Sequence, residues 1–330
     1  MNAKVVKTDG DFKNPGIERD IFARAGIDLV ELREPPSVEE LVELARDADA
    51  LMVLAFRVGR DLLEQLPRLR VVARYGVGVD TVDVEAATSA GVCVTYVPDY
   101  CVDEVSAHAV ALMLAVWRKL LVLRGVASSG TFPAMEAARP VHRLAGSRVG
   151  LVGFGALGQA VARKLAGFDV EIVATDPKVP ADVFASHGVA AIQLNELLET
   201  SDVVSIHTNL TPATFHLVGA GELSRMKPGA ILVNTARGAV VEEASLLRAL
   251  REGRLGGAGL DVLEKEPPEP GDELLHLPNV IVTPHVGAYS EEAIAELQER
   301  AAGSVVDVLS GVEPPHLADR SVWGHRRGPR

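Results

Sequence analysis

The stretch GFGALG places Gly153, Gly155 and Gly158 directly after an apolar run at 148–154 and at the head of a segment with helical character. An acid, Asp176, stands 18 residues beyond the last glycine, after a second apolar run. Each glycine then has a task. The first permits a tight turn, the second lets backbone N–H groups approach a pyrophosphate, and the third lets helix and strand pack closely. Ala156 and Leu157 lie between them, where the positive end of the helix dipole favours an anion. A carboxylate at Asp176 would accept hydrogen bonds from the adenosine ribose hydroxyls and repel a 2'-phosphate, which predicts NAD over NADP. Lys178 is the one nearby residue that argues the other way. The plain alternative, a tight strand-to-helix turn with a surface Asp, does not account for strand, turn, helix, strand and acid occurring in order.

Such a turn needs a parallel sheet beneath it. The chain alternates β-branched runs with helix-sized segments, first at 4–7, 27–32, 50–55, 70–75 and 92–96, then at 148–154, 170–175, 202–207, 230–234, 257–262 and 279–283. Strands separated by helices imply crossover connections and parallel pairing, and six strands in the second series are a dinucleotide-binding count. Ser37 with Glu40 predicts a capping box. A long helix is expected over 103–121, with Val105, Ala109, Leu112, Val116 and Leu120 on one face, followed by a loop over 125–147 rich in Gly, Ser, Pro and Arg. Ser290 and Gly311 bracket another helix, and the Pro- and Arg-rich end, 312–330, is expected to be a partly ordered tail with a solvated basic cluster.

The chain has 330 residues, which suggests two domains, and 33 Lys and Arg against 45 Asp and Glu give a formal charge of -12. That balance opposes a broad footprint for nucleic acid or an anionic membrane. With 48% apolar and 24% charged residues, the composition is that of a globular chain. Two cysteines, Cys93 and Cys101, are too few for a disulfide scaffold or a zinc site. The start lacks the apolar core of a secretory signal, and no apolar run approaches the ~20 residues of a membrane span. A soluble protein of the reducing cytoplasm is therefore expected.

Four stretches carry a family likeness: RYGVGVDTVD at 74–83, GFGALG with Asp176, NTARGAVV at 234–241, and LDVLEKEPP followed by TPHVGA at 283–288. Together they resemble the D-isomer-specific 2-hydroxyacid dehydrogenases over roughly residues 40–312. VPDYC at 97–101 is most similar to the branch that contains C-terminal binding protein and D-3-phosphoglycerate dehydrogenase. The resemblance implies an α/β fold of two doubly wound parallel-sheet domains, with a Rossmann cofactor domain, 99–289, inserted in a discontinuous flavodoxin-like substrate domain, 1–98 and 290–330.

It also implies roles. Arg237 would bind the substrate carboxylate and polarise the adjoining carbonyl, work that suits a planar, permanently charged guanidinium. His285 would exchange the proton at the carbonyl oxygen, and Glu266 would pair with that imidazole. Glu264, two residues earlier, falls off the motif position and reads as a solvated acid. Asp261 matches a position beside the nicotinamide, and His207, Thr208, Thr235, Ala236 and Gly287 match positions lining the cofactor. Gly76, Val77 and Gly78 resemble a loop whose N–H groups hold the substrate carboxylate, and Tyr100 aligns with a substrate-proximal position. Arg57 falls near the place where phosphoglycerate enzymes bind a distal phosphate. If it faces the substrate, that substrate carries a second anionic group such as phosphate, phosphonate or carboxylate. No metal is needed, and His108, His142 and His207 have no metal-ligand spacing. HTNLTP departs from the family pattern, with Asn209 where proline is commoner.

The expected activity is hydride transfer between NAD(H) and C2 of a small 2-hydroxy or 2-oxo acid, D-specific by analogy. The alternative is an NADH-sensing, corepressor-like binding protein with little turnover. The family's dimers associate through cofactor domains, which makes the helix at 103–121 a candidate interface, although a buried core face explains its pattern equally well.

Overall fold

Short aliphatic strands with helices between them build both sheets of the computed structural model, which describes residues 2–10, 12, 14, 16–32, 34–130 and 135–328. The chain divides into two units, Met1–Tyr100 with Ser290–Arg330, and Cys101–Tyr289.

The first unit holds β1 (Lys4–Lys7), β2 (Asp28–Glu31), β3 (Ala50–Val53), β4 (Val71–Arg74) and β5 (Cys93–Thr95) in the order β2-β1-β3-β4-β5. All pairs are parallel, and the order is that of flavodoxin-like folds. Helices cover both faces, so β3 is buried along its length and reads as an unbroken apolar run. Ser37 and Glu40 form the expected capping box before helix Val38–Ala45, with bonds of 3.2 and 2.8 Å. Beneath the sheet, Glu18 is fully buried and satisfied by Lys7 Nζ at 3.1 Å, Tyr75 Oη at 2.8 Å and Gln298 Nε2 at 2.6 Å. Gln298 lies on helix Glu291–Ser310, so this network ties the two chain segments of the unit together.

Residues 312–328 are ordered, more than the partly ordered tail expected from composition. Leu317 bridges Thr95 in antiparallel fashion and Ala318 N–H donates to the Val94 carbonyl, which covers the free edge of β5. Arg327 donates to the carbonyls of Leu66, Leu69 and Ala90, and Arg326 stacks on Trp323 at 3.6 Å, so these two cations of the basic cluster are engaged. Residues 329–330 of the tail lie outside the described residues.

The second unit holds β6 (Arg148–Val152), β7 (Glu171–Thr175), β8 (Ala190–Ala191), β9 (Val203–Ile206), β10 (Ile231–Asn234), β11 (Gly257–Leu260) and β12 (Val280–Val282). Their order, β12-β11-β10-β9-β6-β7-β8, reverses direction between β6 and β9, the switch point at whose C-terminal crevice doubly wound sheets bind ligands. The seventh strand, β8, is two exposed residues at an edge, too short to register as a periodic pattern.

The expected helix over 103–121 is two helices, Val102–Trp117 and Leu120–Ser128, separated at Lys119, whose φ is +52°. The second runs into the stretch expected to be a loop, because the apolar residues Leu120–Leu123 outweigh Gly125 and the serines. A further turn of helix spans Met135–Ala138, and residues 131–134 of that loop lie outside the described residues.

Candidate active site

The glycine turn sits at the switch point. Gly153 follows β6 with φ +96°, and a β-carbon there would lie 2.7 Å from the carbonyl carbon of His207, just past β9. At Gly158 a β-carbon would overlap the Gly153 carbonyl oxygen, so helix Ala156–Leu165 can pack on the strand only without it. Gly155 differs, since nothing lies within 4 Å of the place its β-carbon would take. The helix it precedes has no side-chain cap, which leaves first-turn N–H groups for an anion. Asp176 follows β7 and accepts from Phe154 N–H and Lys178 N–H, both at 2.9 Å, which fixes its carboxylate beside the turn.

Two more residues favour a cofactor here. His207 and Thr235 are each 8% exposed, and neither imidazole nitrogen of the one nor the hydroxyl of the other has a hydrogen-bond partner. Buried polar groups of this kind are normally satisfied. Burial lowers the His207 pKa to about 4, so the ring is neutral. Open space at Gly155, an uncapped helix and two orphaned polar side chains fit a dinucleotide. Thr208 follows His207, and its loop is closed by Thr214, whose Oγ1 accepts from Thr211 N–H at 2.7 Å and donates to the Asn209 carbonyl at 2.6 Å. Asn209 thus keeps an ordered loop where the pattern favours proline.

A second cluster lies past β10 and β11. Buried Asn234 turns the chain after β10: its Oδ1 accepts from Ala236 N–H at 3.0 Å and its Nδ2 donates to the Arg237 carbonyl at 2.9 Å. Arg237 is thereby presented at the strand end, and its Nη1 donates to the Ala236 carbonyl at 2.8 Å. Asn234 stands in the quoted NTARG motif, and an Asn at a strand end is itself a turn signal. Gly238 touches the backbone at Leu263, which brings the Arg237 turn against the loop leading to Glu266.

Glu266 and His285 meet. The Nδ1–H of His285 donates to Glu266 Oε2 at 2.7 Å, while Glu266 Oε1 accepts from Leu263 N–H at 2.9 Å. Burial pushes the Glu266 carboxyl upward. The His285 and Leu263 hydrogen bonds, with the charges of His285 and Arg237, outweigh that and hold it below its ordinary value. With Nδ1 engaged, Nε2 is the atom of His285 left to exchange a proton. Glu264 is exposed, as a solvated acid should be, but it is not free: its Oε1 lies 2.8 Å from His216 Nε2 and accepts from Glu243 N–H at 2.9 Å.

His285 has φ +54°, a conformation that costs about 1–3 kcal/mol in a non-glycine residue and must be held by its surroundings. Asp261 does the holding. Its main-chain oxygen accepts from His285 N–H at 2.9 Å, and its carboxylate accepts from Val286 N–H at 3.0 Å, Gly287 N–H at 2.8 Å and Thr283 Oγ1 at 2.6 Å. A β-carbon at Gly287 would lie 2.7 Å from Asp261 Oδ2.

The remaining expected residues belong to the first unit. Gly76, with φ +137°, begins the loop after β4, followed by half-buried Val77 and Gly78. Tyr100 is partly buried and packs on the core of the first unit. Arg57 is exposed, directly after a loop whose Leu54, Ala55 and Phe56 N–H groups are held by Asp9 at 2.5–2.9 Å. Among the described residues no group of three or more His, Cys, Asp and Glu could hold a metal ion. No helix among them is long and apolar enough to cross a membrane.

A doubly wound sheet with a dinucleotide turn at its switch point, beside an imidazole-carboxylate pair and an arginine, defines a nicotinamide-dependent dehydrogenase. Residues 110–287 match the family model described as D-isomer specific 2-hydroxyacid dehydrogenase, NAD binding domain. A glyoxylate reductase of Thermococcus litoralis is 38% identical over 288 residues, 86% of this chain and 87% of that protein. A D-3-phosphoglycerate dehydrogenase of Methanocaldococcus jannaschii is 39% identical over 84% of this chain and 52% of its own length. The crystal structure of a glyoxylate reductase from Paecilomyes thermophila superposes with a TM-score of 0.87 at 27% identity, covering 97% of this chain and 99% of the other. The chain belongs to the D-isomer specific 2-hydroxyacid dehydrogenase family and is an NAD-dependent dehydrogenase.

Proposed function

We propose that this chain interconverts a small 2-oxo acid and its D-2-hydroxy acid, with Arg237, Glu266 and His285 as the residues that act on substrate. The carrying observation is the 2.7 Å His285–Glu266 pair, with the Arg237 charge felt at the same carboxylate. The nicotinamide, held in the second unit, supplies or accepts the hydride. Arg237 binds the substrate carboxylate and draws electron density from the C2 carbonyl. His285 gives the proton on Nε2 to the carbonyl oxygen in reduction and takes it back in oxidation, and Glu266 stabilises the charged imidazole. Val77 and Gly78 offer N–H groups to the substrate carboxylate, Gly76, whose own N–H donates to the Arg74 carbonyl at 3.0 Å, turns the chain toward it, and Tyr100 borders the substrate.

The second unit is the cofactor domain and the first the substrate domain. Gly153, Gly155, Ala156, Leu157 and Gly158 cradle the pyrophosphate, Asp176 takes the ribose, and His207, Thr208, Thr235, Ala236, Asp261 and Gly287 line the rest. Asp176 supports NADH over NADPH. Glyoxylate, the substrate in the names of two relatives, is a fitting size of acid. Arg57 alone supports a second anionic group on the substrate, such as the phosphate in the name of a third.

Two copies pair through the cofactor unit. Leu120, Leu121 and Met135 are 53, 47 and 70% exposed, beside a cavity of about 320 Å³ lined by Val116, Val122 and Ile281. Two buried free thiols, Cys93 and Cys101, suit a reducing cytoplasm.

The test is a panel of 2-oxo acids with and without a second anionic group, assayed with NADH and with NADPH. Oxidation of NADH by at least one small 2-oxo acid is expected, with NADPH much poorer. NADH that binds but is oxidised by no member would overturn the reading.

A further inference from the structure

Helix Val102–Trp117 lies flush on β11 because that strand is Gly257-Ala258-Gly259-Leu260. A β-carbon on Gly257 would be 2.7 Å from Val116 Cγ1, and one on Gly259 would be 2.9 Å from Leu112 Cβ. Helix and strand therefore run in opposite directions in a matched register. Four helical residues advance about 6 Å and two strand residues about 6.6 Å, so each helical step of four meets the next glycine along. One more step places His108 at Asp261. There His108 Nε2 lies 2.8 Å from Thr283 Oγ1 and 3.4 Å from Asp261 Oδ1.

The protons in this cluster can be assigned. The Thr283 hydroxyl has one hydrogen, and the 2.6 Å bond to Asp261 Oδ1 uses it. Toward His108 that oxygen can only accept, so Nε2 of His108 carries a hydrogen whether the ring is neutral or charged. With Val286 and Gly287 N–H, the Asp261 carboxylate has three donors, two on Oδ1 and one on Oδ2, while the one hydrogen on His108 Nε2 goes to Thr283 Oγ1 and so fixes the hydroxyl in the orientation that donates to Asp261. Gly287 is pressed into the same cluster, since its β-carbon would lie 3.2 Å from His108 Cδ2.

We infer that His108 is a positioning residue for His285, acting through Thr283 and Asp261: it fixes the carboxylate that holds the turn at 285–287, which opens on the left-handed His285. The inference rests on the reading of His285 as the proton carrier.

The experiment compares His108→Leu, which removes the donor, with His108→Gln, whose Nε2 can donate at the same place. With NADH and the best substrate of the panel, His108→Leu should lower kcat about 10- to 100-fold with NADH affinity within about twofold of wild type, the loss that a misplaced reacting group produces. His108→Gln should recover to within about threefold. Thr283→Val should resemble His108→Leu, Thr283→Ser should resemble wild type, and the His108→Leu/Thr283→Val double variant should be no slower than either single one, because one chain of bonds is broken in each. In the protein without cofactor, the Val286 and Gly287 amides should exchange about tenfold faster in His108→Leu and at the wild-type rate in His108→Gln. Wild-type kcat and amide exchange in His108→Leu, or losses that multiply in the double variant, would overturn the inference. The serine and valine pair makes the same comparison if His108→Leu does not fold. Turnover retained in both His285→Ala and Arg237→Ala would remove the underlying reading, whereas loss in those two with none in His108→Leu removes the positioning role alone.

Discussion

Gly238 and Leu263 touch through their backbones: a β-carbon on Gly238 would overlap the carbonyl group of Leu263. Leu263 N–H in turn holds Glu266, so this approach sets the Arg237 turn against the loop that carries the carboxylate of the His285 pair. Gly238→Ala should drive the two apart and lower kcat by about 100-fold, with a smaller effect on NADH binding, most of which rests on the glycine turn. Steady-state kinetics beside a fluorescence titration with NADH measure both, and a wild-type kcat would contradict this account of how the site is assembled.

The glycines of the turn should separate stability from binding. Gly158→Ala meets the Gly153 carbonyl oxygen and should cost about 1–3 kcal/mol of stability. Gly155→Ala has open space around it, so its melting temperature should be unchanged while NADH affinity falls at least tenfold, about 1.4 kcal/mol. Equal effects of both on both quantities would argue against a pyrophosphate at Gly155.

His207 should make the protein sensitive to acid. Burial lowers its pKa from 6.5 to about 4, so between those values the unfolded chain binds a proton that the native ring refuses. Stability is then complete above the unfolded value and falls as pH drops toward 4, by up to about 1.4 kcal/mol per unit. Urea unfolding at pH 7 and pH 5 should show this loss in wild type and a smaller one in His207→Leu. The same slope in both proteins would mean that the ring is not held neutral.

The ordered end of the chain predicts a stability effect remote from the chemistry. Arg327→Ala removes donors from three main-chain carbonyls and should destabilise by about 1–3 kcal/mol. NADH affinity should not change. Unfolding midpoints and NADH titration on the variant check the pair of outcomes.

Much of this was legible from residue order. The alternation of apolar runs fixes eleven of the twelve strands to within a residue or two at each end, and the glycine spacing finds the turn at the switch point. Glu266 and His285, set apart by 19 positions in sequence, do meet. The rest was hidden for physical reasons. The break at Lys119 depends on a left-handed residue inside an otherwise helical pattern, and β8 is stabilised by its neighbour β7 rather than by its own two alanines. The tail looked only partly ordered because its order comes from an arginine reaching carbonyls more than 200 residues away, which no local pattern encodes. Glu264 looked free because its partner, His216, lies in a different loop. Asp9 and His108 carry no motif of their own, and Thr283, although it opens TPHVGA, has no role that the motif names; their importance appears only once the strands bring the loops they hold into reach.

The most direct test of the central claim is single-turnover oxidation of bound NADH by the best 2-oxo acid in Arg237→Ala and His285→Ala, with NADH affinity measured on the same samples. The account predicts that both variants bind NADH like wild type and that each loses at least about 100-fold in the hydride-transfer rate, as the removal of a general acid or an electrostatic clamp should produce. Undiminished rates in both, with NADH bound normally, would contradict it.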